Sequence, residues 1–165
     1  MLSPYNISES TDGDFLFTTT ANVVYIVYLL KDQGYFDDYT EFSANVLTFG
    51  FAITSNPTRK TPFDERVRIT ISAIIQAFLR NHPEKVLFFI CDNSDSRERF
   101  RMKIFNLWYQ LLKVDFIEKH NEVMHLDQLE IHFSIILHIN NPLKKFIISS
   151  FHDLSYTTAE KLKCY

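Results

Sequence analysis

The sequence predicts an α+β fold: a largely antiparallel sheet packed against two long helices and a short C-terminal helix, in the order β-β-β-α-β-α-β-β-α. Three observations carry that expectation. Runs of β-branched and aromatic residues follow one another over residues 15–54, which favours strands joined by hairpins. Two later segments place apolar residues at spacings of 3 and 4, the stripe of a helix buried on one side. Between them lies a short apolar run bounded by turn residues, as expected of a strand covered on both faces.

Residues 1–12 are polar and are expected to form a flexible N-terminus, because little there can bury apolar surface. Phe15-Leu16-Phe17 and the run Val23 to Leu30 read as a hairpin around residues 18–22. Glu41 to Thr54 reads as a third strand in which Gly50 marks a bulge or a close approach. Residues 55–60 form a loop. Thr61 is placed to cap the next helix, with Pro62 at its first position and Asp64 as the capping-box acid. Val67, Ile71, Ile74, Ile75 and Phe78 make its stripe, and His82-Pro83 ends it.

Val86 to Cys91 is the central strand, with Cys91 as a small buried hydrophobe. After a turn at residues 92–95, a second helix is expected from Ser96 to Lys113, buried through Phe100, Ile104, Leu107, Trp108, Leu111 and Leu112. Periodicity is weak from Val114 to Gln128. Glu130 to Asn140 alternates, with Ile131, Phe133, Ile135, Leu137 and Ile139 inward and His132, Ser134, Ile136, His138 and Asn140 outward. Lys144 to Phe151 is expected to return as its hairpin partner. Ser155 then caps a short last helix carrying Tyr156, Ala159 and Leu162 on one side.

The 165 residues are expected to form a single domain whose core uses many of the sixteen Phe. Only three Gly are present, at 13, 34 and 50, so neither a dinucleotide fingerprint nor a phosphate loop can be written. The longest apolar run is far shorter than the roughly 18–20 residues that span a bilayer, and the first residues lack the charged and apolar regions of a signal peptide. With two cysteines outside any metal-ligand pattern, a reduced, cytoplasmic protein is expected. A net charge of −3 does not favour nucleic acid or an anionic membrane as partner.

Candidate chemistry gathers near residues 92–101. Asp92, Asp95 and Glu98 could hold a divalent cation through oxygen ligands, although the spacing matches no EF-hand loop. Arg97, Arg99, Arg101 and Lys103 occupy the first turns of the second helix, and Arg66 and Arg68 those of the first, where the macrodipole disfavours cations. If the central strand points up, both helices start at its top. With Arg59 and Lys60 just ahead of the first helix, eight bases then share one end with five acids (Asp64, Glu65, Asp92, Asp95 and Glu98), and Arg66, Arg68, Arg97 and Arg101 become a candidate anion or phosphate site. His132 and His138 share a strand face but lie roughly 20 Å apart, too far for one ion. No nucleophile elbow accompanies His152-Asp153.

The elements Thr70-Ile71 … Phe78 … Asn81-His82-Pro83 … Ile90-Cys91-Asp92 … Asp95-Ser96-Arg97 … Arg101 … Phe105 … Trp108-Tyr109 resemble an uncharacterised family of Bacteroidetes-type bacteria, a domain of unknown function. Phe15-x-Phe17-Thr18 … Tyr25-x-Val27 is similar too, so the likeness spans most of the chain; Ser96 departs from it where Gly is expected. The resemblance implies no activity, cofactor or catalytic residue. The expected function is therefore a non-catalytic binding or interaction module without a cofactor, engaging a protein partner or a second copy through an edge strand such as Phe15–Phe17. The alternative is a metal-dependent hydrolase acting on phosphate esters or nucleic acid through Asp92, Asp95 and Glu98.

Overall fold

The computed structural model describes residues 1–31, 34–91, 98–111 and 113–163. Seven strands form one sheet: β1 (Ile7–Glu9), β2 (Phe15–Thr18), β3 (Val24–Lys31), β4 (Val46–Ser55), β5 (Val86–Cys91), β6 (Ile117–Leu126) and β7 (Leu129–His138). Their spatial order is β1-β2-β3-β4-β5-β7-β6. Every neighbouring pair is antiparallel except β4 and β5, which run parallel from the pair Val46–Val86. A parallel pair needs a crossover, and α1 (Glu65–Asn81) supplies it. The remaining helices are α2 (Glu98–Leu111) and α3 (Lys144–Lys163).

Strand alternation divides the apolar side chains into two cores. Val27, Phe49, Leu87 and Ile136 face α1 and α2, where they meet Ile71, Ile74, Leu79 and Phe105. Val46, Val86, Phe88, Phe133 and Leu137 face the other way, onto Ile147, Phe151 and Leu154 of α3 and onto Phe36 and Phe42 of the segment before β4. In that segment Phe36 meets Phe88 edge-on with centroids 5.1 Å apart, and Phe42 meets Phe146 of α3 at 5.6 Å. Each contributes edge-to-face attraction beyond the area it buries. β5 takes part in both cores, as its unbroken apolar run requires.

The fold is mixed α+β with a mostly antiparallel sheet, and it departs from the expected order at both ends. Ile7–Glu9 pairs with β2 and Tyr5 is buried, where a flexible N-terminus was expected. A single aromatic anchor ties this polar segment down. β2 is consequently internal rather than an edge. Asp64, not Thr61, caps α1: its Oδ1 accepts from the Arg66 amide at 2.9 Å, leaving Thr61 and Pro62 ahead of the helix. The helix stops at His82 as expected, with His82 N–H donating to Phe78 O.

At the C-terminal side, β6 fills part of the weakly periodic stretch. Ser134 and Ile136 on β7 are buried under α1 and α2 rather than facing outward. Lys144–Phe151 is no strand: it opens α3, the longest helix, within which Ser155 lies. The β-branched pair Ile147-Ile148 suggests a strand, but Ile147, Phe151 and Leu154 recur at helical spacing and are all buried. Asn141 shapes the turn that leads into the helix. Its Oδ1 accepts from Leu143 N–H at 3.0 Å while its Nδ2 donates to Glu84 O at 3.1 Å.

Candidate functional site

The crossover and the direction of β5 set the position of the first candidate site. α1 descends from the end where β4 finishes, β5 rises to that same end, and α2 starts there and packs on the same face. Arg66, Arg68 and Arg101 therefore lie at one end of the sheet. Arg66 is engaged by the N-terminal segment: its Nε donates to Ser3 O at 2.9 Å, Nη2 donates to Pro4 O at 3.3 Å, and the guanidinium sits 3.8 Å from the Tyr5 ring centroid. Arg68 donates to Glu65, and its Nε is buried with no hydrogen-bond partner among the described residues. Arg101 lines a cleft with Tyr28, Gly50, Phe89 and Ile90, where β4 runs on beyond its last pair with β5. Asp92, Asp95 and Arg97 lie outside the described residues, as does the Glu98 side chain. Among the described residues, no three His, Cys, Asp or Glu side chains are grouped to hold a metal ion.

Beneath α2 lies a polar cluster that the sequence does not reveal. The Lys119 ammonium donates to Ser134 Oγ at 3.0 Å and to the side-chain oxygens of Asn106 and Asn121, and it sits 5.3 Å from the Phe105 ring centroid. Burial pushes its pKa down from 10.5 to about 8, with the nearby Cys91 thiol working the other way. Three acceptors for three N–H donors identify it as a satisfied cation. At the hairpin end of β6 and β7, Glu130 accepts two hydrogen bonds from Arg99 and one from His132 at 2.6 Å. These donors, Arg99 foremost, hold the carboxyl down at about 2. The signal for this cluster was the alternation of Lys119 and Asn121 with Glu118, His120 and Glu122, too mixed in polarity to show which face is covered.

The other side of α2 carries the most unusual surface. Met102 and Phe105 point into the sheet and are buried. Phe100, Leu107 and Leu111 point outward, at 63%, 50% and 57% exposed, with half-buried Ile104 between them. These four belong to the stripe expected to be core. Only Trp108 of that set flanks the core among the described residues. Phe63, 92% exposed, lines a cleft with Trp108 and extends the apolar surface beyond the helix.

The fold and this surface define an α+β layer protein with both sheet faces covered and an apolar helix face open to solvent. The chain belongs to a family of unknown function, DUF6169, whose model matches residues 63–153. That span begins just before α1 and includes the outward face of α2, while the N-terminal pattern at residues 15–27 lies outside it. No curated protein and no solved structure matches the chain.

Proposed function

We propose that this chain is a cytoplasmic, non-catalytic binding or interaction module whose docking surface is the outward face of α2. One observation carries the reading. Three large apolar side chains stand in a row on a helix whose opposite side already fills a core. Exposed apolar area is unfavourable in water by roughly 25 cal/mol per Å², and a contiguous patch of it marks a contact surface. Strand addition, the expected route, is less favoured. The sheet ends in β1, only three residues long, and in β6, which carries Glu118 and Glu122. A bacterial source belongs to the same proposal and rests on the Cys91-Asp92 … Trp108 resemblance.

The test compares immobilised native chain with Leu107→Lys, checked to be folded, for the partners each retains from a cell extract. Retention should be lost in the variant. Equal retention by both removes α2 as the docking surface, and turnover of any substrate class removes the non-catalytic reading.

An anion site at the shared helix end is a second reading, favoured by the unpartnered buried Nε of Arg68. Pyrophosphate titrated at low salt should bind through Arg68; Arg66 is engaged by Ser3 and Pro4, and Arg101 lines a separate cleft. Binding unchanged in Arg68→Ala, or no binding, removes the idea.

A further inference from the structure

The apolar row on α2 has a symmetry that restricts what can cover it. Phe100, Ile104, Leu107 and Leu111 follow one another at spacings of 4, 3 and 4, the same in either chain direction. Resting on the docking surface proposed above, we infer that its occupant is a second copy of this chain, α2 against α2, antiparallel about a two-fold axis.

In that arrangement Phe100 of one copy lies opposite Leu111 of the other, and Ile104 opposite Leu107. The axis passes between residues 105 and 106. All four residues of each copy are used, and an isologous contact closes after two copies. Rows at i±3 and i±4 are the ridges that interlock when helices pack.

Charge selects the same geometry. The described basic side chains of α2 are Arg99, Arg101 and Lys103, all in its first half, and no charged residue occurs from Ile104 to Leu111. A parallel pair would bring the two basic halves together. The antiparallel pair lays each basic half against the partner's uncharged Leu107, Gln110 and Leu111. An acidic helix from another protein fits less well, because Arg99 is already held by Glu130, Arg101 turns to its own cleft, the exposed Lys103 is a single charge, and the second half offers nothing to pair with. A stable interface covers about 800 Å² per partner, more than four side chains provide. Phe63 and the flank of Trp108 give the contact room to spread.

The experiment measures the mass of the full chain in solution by light scattering or sedimentation over a concentration series. The native chain should approach twice its monomer mass, and Leu107→Lys should remain monomeric with an unchanged near-UV circular dichroism spectrum. If that variant fails to fold, Leu111→Ser takes its place. Orientation is read by cross-linking in a Cys164→Ser background. Phe100→Cys mixed with Leu111→Cys should form a disulfide-linked pair, and neither should do so alone, since two copies of position 100 would lie about 16 Å apart along the axis at 1.5 Å per residue. A native monomer at every concentration overturns the inference, as does a dimer that survives both α2 substitutions or a cross-link of Phe100→Cys with itself. A native monomer whose extract partners are still lost in Leu107→Lys would overturn the second copy alone and leave the docking surface standing.

Discussion

Gly50 lacks a Cβ, and Tyr28 uses the space. The two are registered across β3 and β4, and a Cβ built on Gly50 would lie 2.2 Å from the Tyr28 ring. Gly50→Ala must therefore displace the far end of that half-exposed ring, at a cost of about 1 kcal/mol, the low end for overpacking. Chemical denaturation should show the loss, and Tyr28→Ser in the same background should recover most of it. The sequence marks Gly50 as a bulge or close approach, and the close approach is what forms; the register irregularity lies at Val24/Tyr25. Lys119 gives a pH signature instead. Its folded pKa of about 8 lies below the ordinary 10.5, so between these values the unfolded chain binds more protons and stability rises with pH. The rise ends near pH 10, where Tyr25 and Tyr109, both raised chiefly by burial, begin to oppose it. Melting temperature should climb from pH 8 toward 10 in the native chain and stay flat in Lys119→Met. A climb retained in the variant would assign the effect to another group.

At the scale of elements, α2 shows why a helix can be legible in sequence while its orientation is not. The described α2, Glu98–Leu111, lies inside the expected Ser96–Lys113, of which Ser96, Arg97 and Leu112 lie outside the described residues. Phe100, Ile104, Leu107 and Leu111 make one helical row, and Met102, Phe105 and Tyr109 make another on the opposite side. Periodicity alone ranks the first row as core, because its residues are the more apolar. The sheet takes the second, because Phe105 stacks on Phe49 at 6.0 Å and packs against Phe89 at 4.4 Å. Phe105→Ala should then cost about 3–5 kcal/mol, as core Phe truncations do. Leu107→Lys should stay within about 0.5 kcal/mol in the monomeric protein, as exposed substitutions do. Equal costs in urea unfolding would mean that the helix is rotated from this placement. α3 fails differently: its first two turns carry the β-branched content of a strand, and only its burial on β6 and β7 decides for helix. β5 was legible because a short, continuously apolar run between turns has few other places to go.

For the whole molecule, the N-terminal segment links regions far apart in the chain. The Tyr5 amide donates to Thr70 Oγ1 at 2.9 Å, its hydroxyl donates to Asp64 Oδ2 at 2.6 Å, and its ring stacks on Phe17, itself stacked on Tyr25. Asp64 thereby serves two structures at once, capping α1 through Oδ1 and holding Tyr5 through Oδ2. Polar residues surround Tyr5 in the sequence, so no hydrophobic pattern announces it; its burial depends on strands and a helix that assemble later in the chain. If the segment is a fastening rather than a passive end, Tyr5 and Asp64 must be energetically coupled. Tyr5→Phe removes only the hydroxyl's hydrogen bonds and should cost about 1.5–3 kcal/mol, the range for a bond to a charged group. Asp64→Ala loses the cap as well, worth about 0.5–2 kcal/mol on its own. In the double variant Tyr5→Phe should add little, because its acceptor has already gone, and the cycle should return a coupling of about 0.5–3 kcal/mol. Additive costs would show that helix cap and N-terminal anchor are independent, leaving the segment held by the Tyr5 amide, its stacked ring and Arg66.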